Sequence, residues 1–66
     1  MKFRFDMDGV PFRREDGEMF LDKGEIHGMD LCPEDEGVVL ALTDEAERGR
    51  IGCVATGRHF RVERVM

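Results

Sequence analysis

Two cysteines and two histidines are the only soft or imidazole ligands in the chain, and they fall in pairs, His27-x4-Cys32 and Cys53-x5-His59. Two thiolates and two imidazoles make a complete tetrahedral zinc set, and a metal staple suits a chain too short to bury a large core. Neither pair has the Cys-x2-Cys or His-x3-His spacing of a zinc finger, so the four meet only if segments 27–32 and 53–59 lie side by side. Each residue also has a plain structural reading. Cys53 sits in the middle of an apolar run, where a lone cysteine packs as a small hydrophobe, and His59 stands beside a turn, where it is solvated. The expectation is therefore no cofactor, with zinc on His27, Cys32, Cys53 and His59 as the alternative. A Cys53–His59 nucleophile–base pair needs the same convergence. A serine nucleophile is excluded because the chain contains no serine, and no Gly-Lys-Ser/Thr phosphate loop is present.

The carboxylates offer a second chemistry. Phe5-Asp6-Met7-Asp8-Gly9-Val10 sets two aspartates one residue apart at the end of an apolar alternation. A carboxylate nucleophile with a bound magnesium ion can transfer a phosphoryl group. The segment resembles the first motif of the haloacid dehalogenase family of phosphatases and phosphotransferases. That resemblance implies Asp6 as nucleophile, Asp8 as general acid/base, magnesium between them, and a parallel strand of a doubly wound α/β core. Thr43, closing the run Val38 to Leu42, is similar to the family's second motif. The resemblance covers six residues, and the rest of the chain departs from it. The family's phosphate-binding lysine follows the second motif, whereas Lys2 and Lys23 both precede Thr43. Its last acidic pair has no counterpart, since Glu63 is the only acid from residue 48 onward. A parallel strand buried on both faces also reads as continuously apolar, and Lys2-Phe3-Arg4-Phe5 alternates. The expectation is a non-enzymatic protein in which Asp6 and Asp8 face solvent. The same segment fails as a calcium loop, which would need a ligand at Val10 and glycine at Pro11.

The elements that must position these residues read mainly as strands. Phe3, Phe5 and Met7 alternate with Lys2, Arg4, Asp6 and Asp8, the period of a half-buried strand over 2–8. Gly9-Val10-Pro11 ends it. Asp16-Gly17 then lies between Phe12-Arg13-Arg14-Glu15 and Glu18-Met19-Phe20-Leu21, the strongest hairpin signal in the chain. Residues 18–22 read as a strand, and 25–31 as a further short one. Ile51 to Thr56 and His59 to Val65 form two final strands about a Gly57-Arg58 turn. Val38-Val39-Leu40-Ala41-Leu42-Thr43 is continuously apolar and is assigned to a strand, because Gly37 and two adjacent valines disfavour a helix. The alternative is a helix over about 33–48, with Pro33 in its first turn, acids after it, Arg48 in its last turn and Gly49 as a stop. The expected fold is mainly β, a small curled antiparallel sheet or barrel of five to six short strands in a single domain over 1–66. The alternative is α+β, with the 33–48 helix packed on an antiparallel sheet.

Charge then bounds the function. The net charge is −5, but residues 1–47 hold fourteen acids against five Lys/Arg, and residues 48–66 hold five arginines against Glu63. The expected function is a small binding or accessory module, an inhibitor or regulator among the options. It would contact another protein through strand edges or through the acidic face of Glu34, Asp35 and Glu36, which favours a basic partner. A homo-oligomer is compatible with the same edges. The alternative is a nucleic-acid-binding small barrel, with Arg13, Arg14, Arg50 and the C-terminal arginines Arg58, Arg61 and Arg64 lining one face and Phe12 or Phe60 stacking on bases. The negative net charge disfavours it. No apolar run is long enough to span a membrane, and the start lacks a signal peptide's apolar core, so a cytoplasmic location with reduced cysteines is expected.

Overall fold

In the computed structural model, which describes all 66 residues, the alternation at the start forms β1 (Phe3–Met7). A two-residue turn, Asp8-Gly9, leads into β2 (Val10–Pro11), with both turn residues at positive φ, 52° and 81°. This is the Asp-Gly hairpin geometry that matches the twist of paired strands. The second Asp-Gly pair does something else. Phe12 still donates its N–H to Phe5 O, after which residues 13–19 leave the sheet, turn at Glu15-Asp16 where the Gly17 N–H bonds Arg14 O, and return as β3 (Phe20–Leu21) beside the first half of β1. β2 and β3 are thus one interrupted edge, and the expected strand over 18–22 shrinks to two residues.

After β3 the chain becomes helical. Asp22 accepts from the Glu25 N–H at 2.8 Å, and the Glu25 carboxylate accepts from the Asp22 N–H at 3.1 Å. This reciprocal box starts α1 (Lys23–His27), so the short strand expected over 25–31 does not form. α2 (Pro33–Arg48) follows, with Pro33 at its first turn, Glu34, Asp35 and Glu36 beside its positive end, and Arg48 at its negative end. Then come β4 (Val54–Thr56) and β5 (Phe60–Arg64), joined by Arg58-His59, because the Gly57 N–H bonds Phe60 O at 2.8 Å. The expected Gly57-Arg58 turn is shifted by one residue.

The architecture is therefore α+β, with an open, uncurled five-stranded antiparallel sheet, and the expected barrel or curled all-β sheet is wrong. Val38–Thr43 overturned it. Those six residues taken alone are uniformly apolar, but Val39, Leu42, Thr43 and Ala46 are the buried set of α2, at the i, i+3, i+4, i+7 spacing of one helical face. Thr43 does not close a strand. Its hydroxyl donates to Val39 O one turn back, which satisfies it in the core. The sheet order is β2-β1-β5-β4, with β3 also on β1, and β1 pairs with β5 from Phe3↔Arg64 to Met7↔Phe60. No strand pair is parallel, so β1 is not the buried parallel strand that the phosphotransferase resemblance implies.

The core lies on one side of the sheet. Phe3, Phe5, Phe60, Val62, Ala55 and Leu21 meet Ile26 of α1 and the apolar face of α2. Each large side chain fully buried here contributes about 1.5–3 kcal/mol. α2 ends where Gly49 passes directly against the side chain of Cys53, leaving no room for a β-carbon. Gly37 sits in the same helix with nothing within 4 Å of where a β-carbon would be. Opposite effects are expected. Gly37→Ala should stabilise by roughly 0.5–1 kcal/mol through helix propensity, and Gly49→Ala should destabilise by roughly 1–3 kcal/mol through overpacking. Urea midpoints of the two variants measure this; a stabilising Gly49→Ala would contradict the packing of α2 on Cys53.

Candidate functional site

The helices cover the core side unevenly. α2 lies over β4 and β5, and α1 follows β3, so the second half of β1 and the adjoining β2 have no helix above them. Alternation sends Met7 and its neighbour Val10 to this uncovered side, and Phe12 packs beside Phe5, with ring centroids 6.3 Å apart. Met7 is 45 % exposed, Val10 67 % and Phe12 39 %. Phe60, buried and stacked on Phe5 at 5.7 Å, connects this corner to the start of α2. There, a cleft of about 280 Å³ is lined by Glu34, Asp35, Val38, Arg58, His59 and Phe60.

The rim is polar and partly pre-oriented. Asp8 and His59 stand opposite each other at the end of the β1–β5 ladder, where the Asp8 N–H bonds His59 O at 2.7 Å. Their side chains also meet, His59 Nδ1 lying 2.9 Å from Asp8 Oδ1. Glu34, Asp35 and Arg58 have no hydrogen-bonded or ion-paired side-chain partner, so their charges are available to a ligand. An exposed apolar surface rimmed by charge and adjoining a cleft is the usual anatomy of a protein-docking surface.

Of the six residues expected to bind, three meet at this corner, namely Glu34, Asp35 and Arg58. Glu36 is exposed on the same helical turn but does not line the cleft. Arg61 and Arg64 are committed elsewhere. On the face of the sheet away from the helices, Arg4, Asp6, Arg61 and Glu63 form a ladder, with Arg4–Asp6 at 3.3 Å, Arg61–Asp6 at 3.5 Å and Arg61–Glu63 at 3.1 Å. Asp6, expected to face solvent, is only 7 % exposed within this ladder. Arg64 donates to the Gly49 and Met66 carbonyls.

The Cys/His set does not assemble. His27 ends α1, Cys32 precedes α2, Cys53 packs on Gly49 and His59 bonds Asp8; no three His, Cys, Asp or Glu side chains form a group able to hold a metal. The residues present therefore do not fit a zinc ion. Both cysteines are free thiols. No helix is long and apolar enough to cross a membrane. The chain matches no family model, no curated protein and no solved structure.

Sequence reasoning missed Met7 and Val10 as surface residues, and placed Phe12 there only as a base-stacking side chain in the nucleic-acid alternative. The β1 alternation marks Met7 as core, and only the position of α2 over the other half of the sheet leaves it bare. Pro11, at an edge position, was the one available signal that β2 ends the sheet.

Elsewhere the charges hold elements together. Arg14, in the 13–19 excursion, bonds Asp16 and also Glu25 of α1 at 2.8 Å. The Arg14 guanidinium, with the Glu18 N–H, lowers Asp16 from 3.8 to about 2, and Arg14 likewise lowers Glu25. Lys23, raised by Glu47 and Asp44, ties α1 to α2 and in turn lowers Asp44. Carboxyls with depressed folded-state values stabilise above the unfolded value, and that contribution disappears as pH falls through the folded one. A carboxyl NMR titration should therefore place Asp16 near 2 and move it up towards the ordinary aspartate range, about 4, in Arg14→Ala, the remaining depression coming from the Glu18 N–H. An Asp16 midpoint unmoved by that substitution would remove the link between the excursion and Arg14.

Proposed function

We propose that the protein is a non-enzymatic binding module that docks another protein at the Met7–Val10–Phe12 corner. One observation carries this reading: three large apolar side chains exposed side by side, next to a cleft whose acids have no partner within the chain. Solvated apolar groups of this size gain by burial, and Glu34 and Asp35 select for lysine or arginine beside the docking residue. The matching partner segment presents one or two large apolar side chains flanked by basic residues. Arg58 at the same rim disfavours a uniformly basic stretch, which gives the site selectivity as well as affinity. Free thiols at Cys32 and Cys53 agree with a cytoplasmic setting.

Nucleic acid is the second reading, and it rests on Arg13, Arg48, Arg50 and Arg58, none of which has an acidic partner. Arg14, Arg61 and Arg64 are already engaged, so the arginines left for phosphates are few and scattered. Binding of this kind would weaken steeply with added salt.

Peptide display against the immobilised protein separates the two. The proposal expects enrichment of apolar–basic sequences, lost in Val10→Asp and weakened at least about tenfold in Glu34→Lys. Enrichment of acidic peptides, or retention in Val10→Asp, would overturn it. Salt-sensitive capture of single-stranded oligonucleotides, lost in Arg50→Ala/Arg58→Ala, would replace it with the second reading.

A further inference from the structure

The two edges of the sheet are treated differently. On the β2/β3 edge, the outward backbone positions are Pro11, which has no N–H, and Phe20, whose N–H is bonded by the Glu18 carboxylate at 2.8 Å. The 13–19 excursion interrupts what remains. These are the devices that stop a strand edge from accepting another strand. On the opposite edge, β5 bonds β4 through Gly57 and Cys53, with Ala55 between them facing Val62. The antiparallel alternation therefore turns the N–H and C=O groups of Val54 and Thr56 outward. Neither proline, nor excursion, nor a capping side chain protects them.

We infer that this edge pairs with the same edge of a second copy of the chain, antiparallel about a two-fold axis at Ala55. Val54 of each copy then lies opposite Thr56 of the other, and the four outward groups of each strand exchange hydrogen bonds in register. The sheet continues through both copies without a break.

The helices choose this occupant over a lone partner strand. α2 lies over β4 and β5, so two copies joined at β4 place their α2 axes about two strand spacings apart, roughly 9–10 Å. That is the distance at which helices pack. The α2 flank on that side carries Glu34, Val38, Ala41 and Glu45, all exposed, with Val38 directly over Gly57 of the β4–β5 turn. The opposite flank is already taken, since Asp44 and Glu47 hold Lys23 of α1. A single added strand would leave this second flank bare, whereas the second copy's α2 covers it. Small Ala41 permits close approach. Antiparallel pairing also brings Arg58 of one copy towards Glu45 of the other, two groups without partners in the monomer. The contact uses the β4 edge and not Met7, Val10 or Phe12, although its helix flank shares Glu34, Val38 and Arg58 with the cleft beside the docking corner.

Sedimentation equilibrium and native mass spectrometry test this on the full chain. The expected species is twice the 7.6 kDa chain mass. Thr56→Pro, which removes an outward N–H and no internal bond, should weaken association by at least about tenfold. Ala41→Arg, on the helix flank, should do the same with an unchanged circular dichroism spectrum, and Val10→Asp should leave the dimer intact. A wild-type chain monomeric to hundreds of micromolar would overturn the inference, as would a dimer that survives both Thr56→Pro and Ala41→Arg. Loss of the dimer in Val10→Asp alone would move the contact to the corner and overturn it equally.

Discussion

The pairing of β1 with β5 is the constraint on which the other features rest. These strands come from opposite ends of the chain, and their register, Phe3↔Arg64 to Met7↔Phe60, fixes what each neighbour can do. It sends Phe3, Phe5, Phe60 and Val62 to the side where α2 supplies Val39, Leu42 and Ala46. It sends Arg4, Asp6, Arg61 and Glu63 to the other side, where alternating signs on adjacent strands neutralise one another. A slip of one residue would exchange the two faces, burying arginine and exposing phenylalanine, so the register is strongly specified. Closing a loop of more than fifty residues is entropically costly, though the cost grows only slowly with length, and the two stacked phenylalanines at its centre help to offset it.

The proposed docking corner is what this central pair leaves uncovered. One long helix spans only part of a four-column sheet, and it sits over β4 and β5. The far corner of β1 and β2 is consequently apolar and bare, and the acidic start of α2 overhangs its border. Glu34 and Asp35 thus have two roles. They offset the positive end of the α2 dipole, and they give the cleft its sign. The acidity of the first 47 residues and the basicity of the last 19 do not form two opposed faces, because Asp6 and Glu63 absorb Arg61 and Arg4, and α1 and its neighbours absorb Lys2, Arg14 and Lys23.

Much of the fold could be read from local pattern. The alternation in β1 and β5 has one period and one interpretation. The ends of α2 were also visible in Pro33, Glu34–Glu36, Arg48 and Gly49. What misled was the window: Val38–Thr43 looks like a buried strand until Ala46 is included, after which the helical spacing is the simpler reading. The Asp22–Glu25 box was legible too, but it follows a strand so closely that Gly24 reads as a break. Choosing between Asp8-Gly9 and Asp16-Gly17 as the hairpin was beyond local pattern, since both satisfy the turn chemistry and only pairing along β1 decides. The site was half legible for the same reason. Charged residues announce themselves, whereas the exposure of Met7, Val10 and Phe12 depends on where a helix thirty residues away comes to rest.

The β1–β5 pairing can be observed directly by NMR. Hydrogen bonding between Asp8 and His59 makes the alternate pairs Phe3–Arg64, Phe5–Val62 and Met7–Phe60 the non-hydrogen-bonded ones, whose α-carbons lie about 4.5 Å apart. Strong Hα–Hα cross-peaks between the residues of those three pairs are expected. Their absence, or cross-peaks displaced by one residue, would contradict the register from which the core, the ion ladder and the exposed apolar corner all follow.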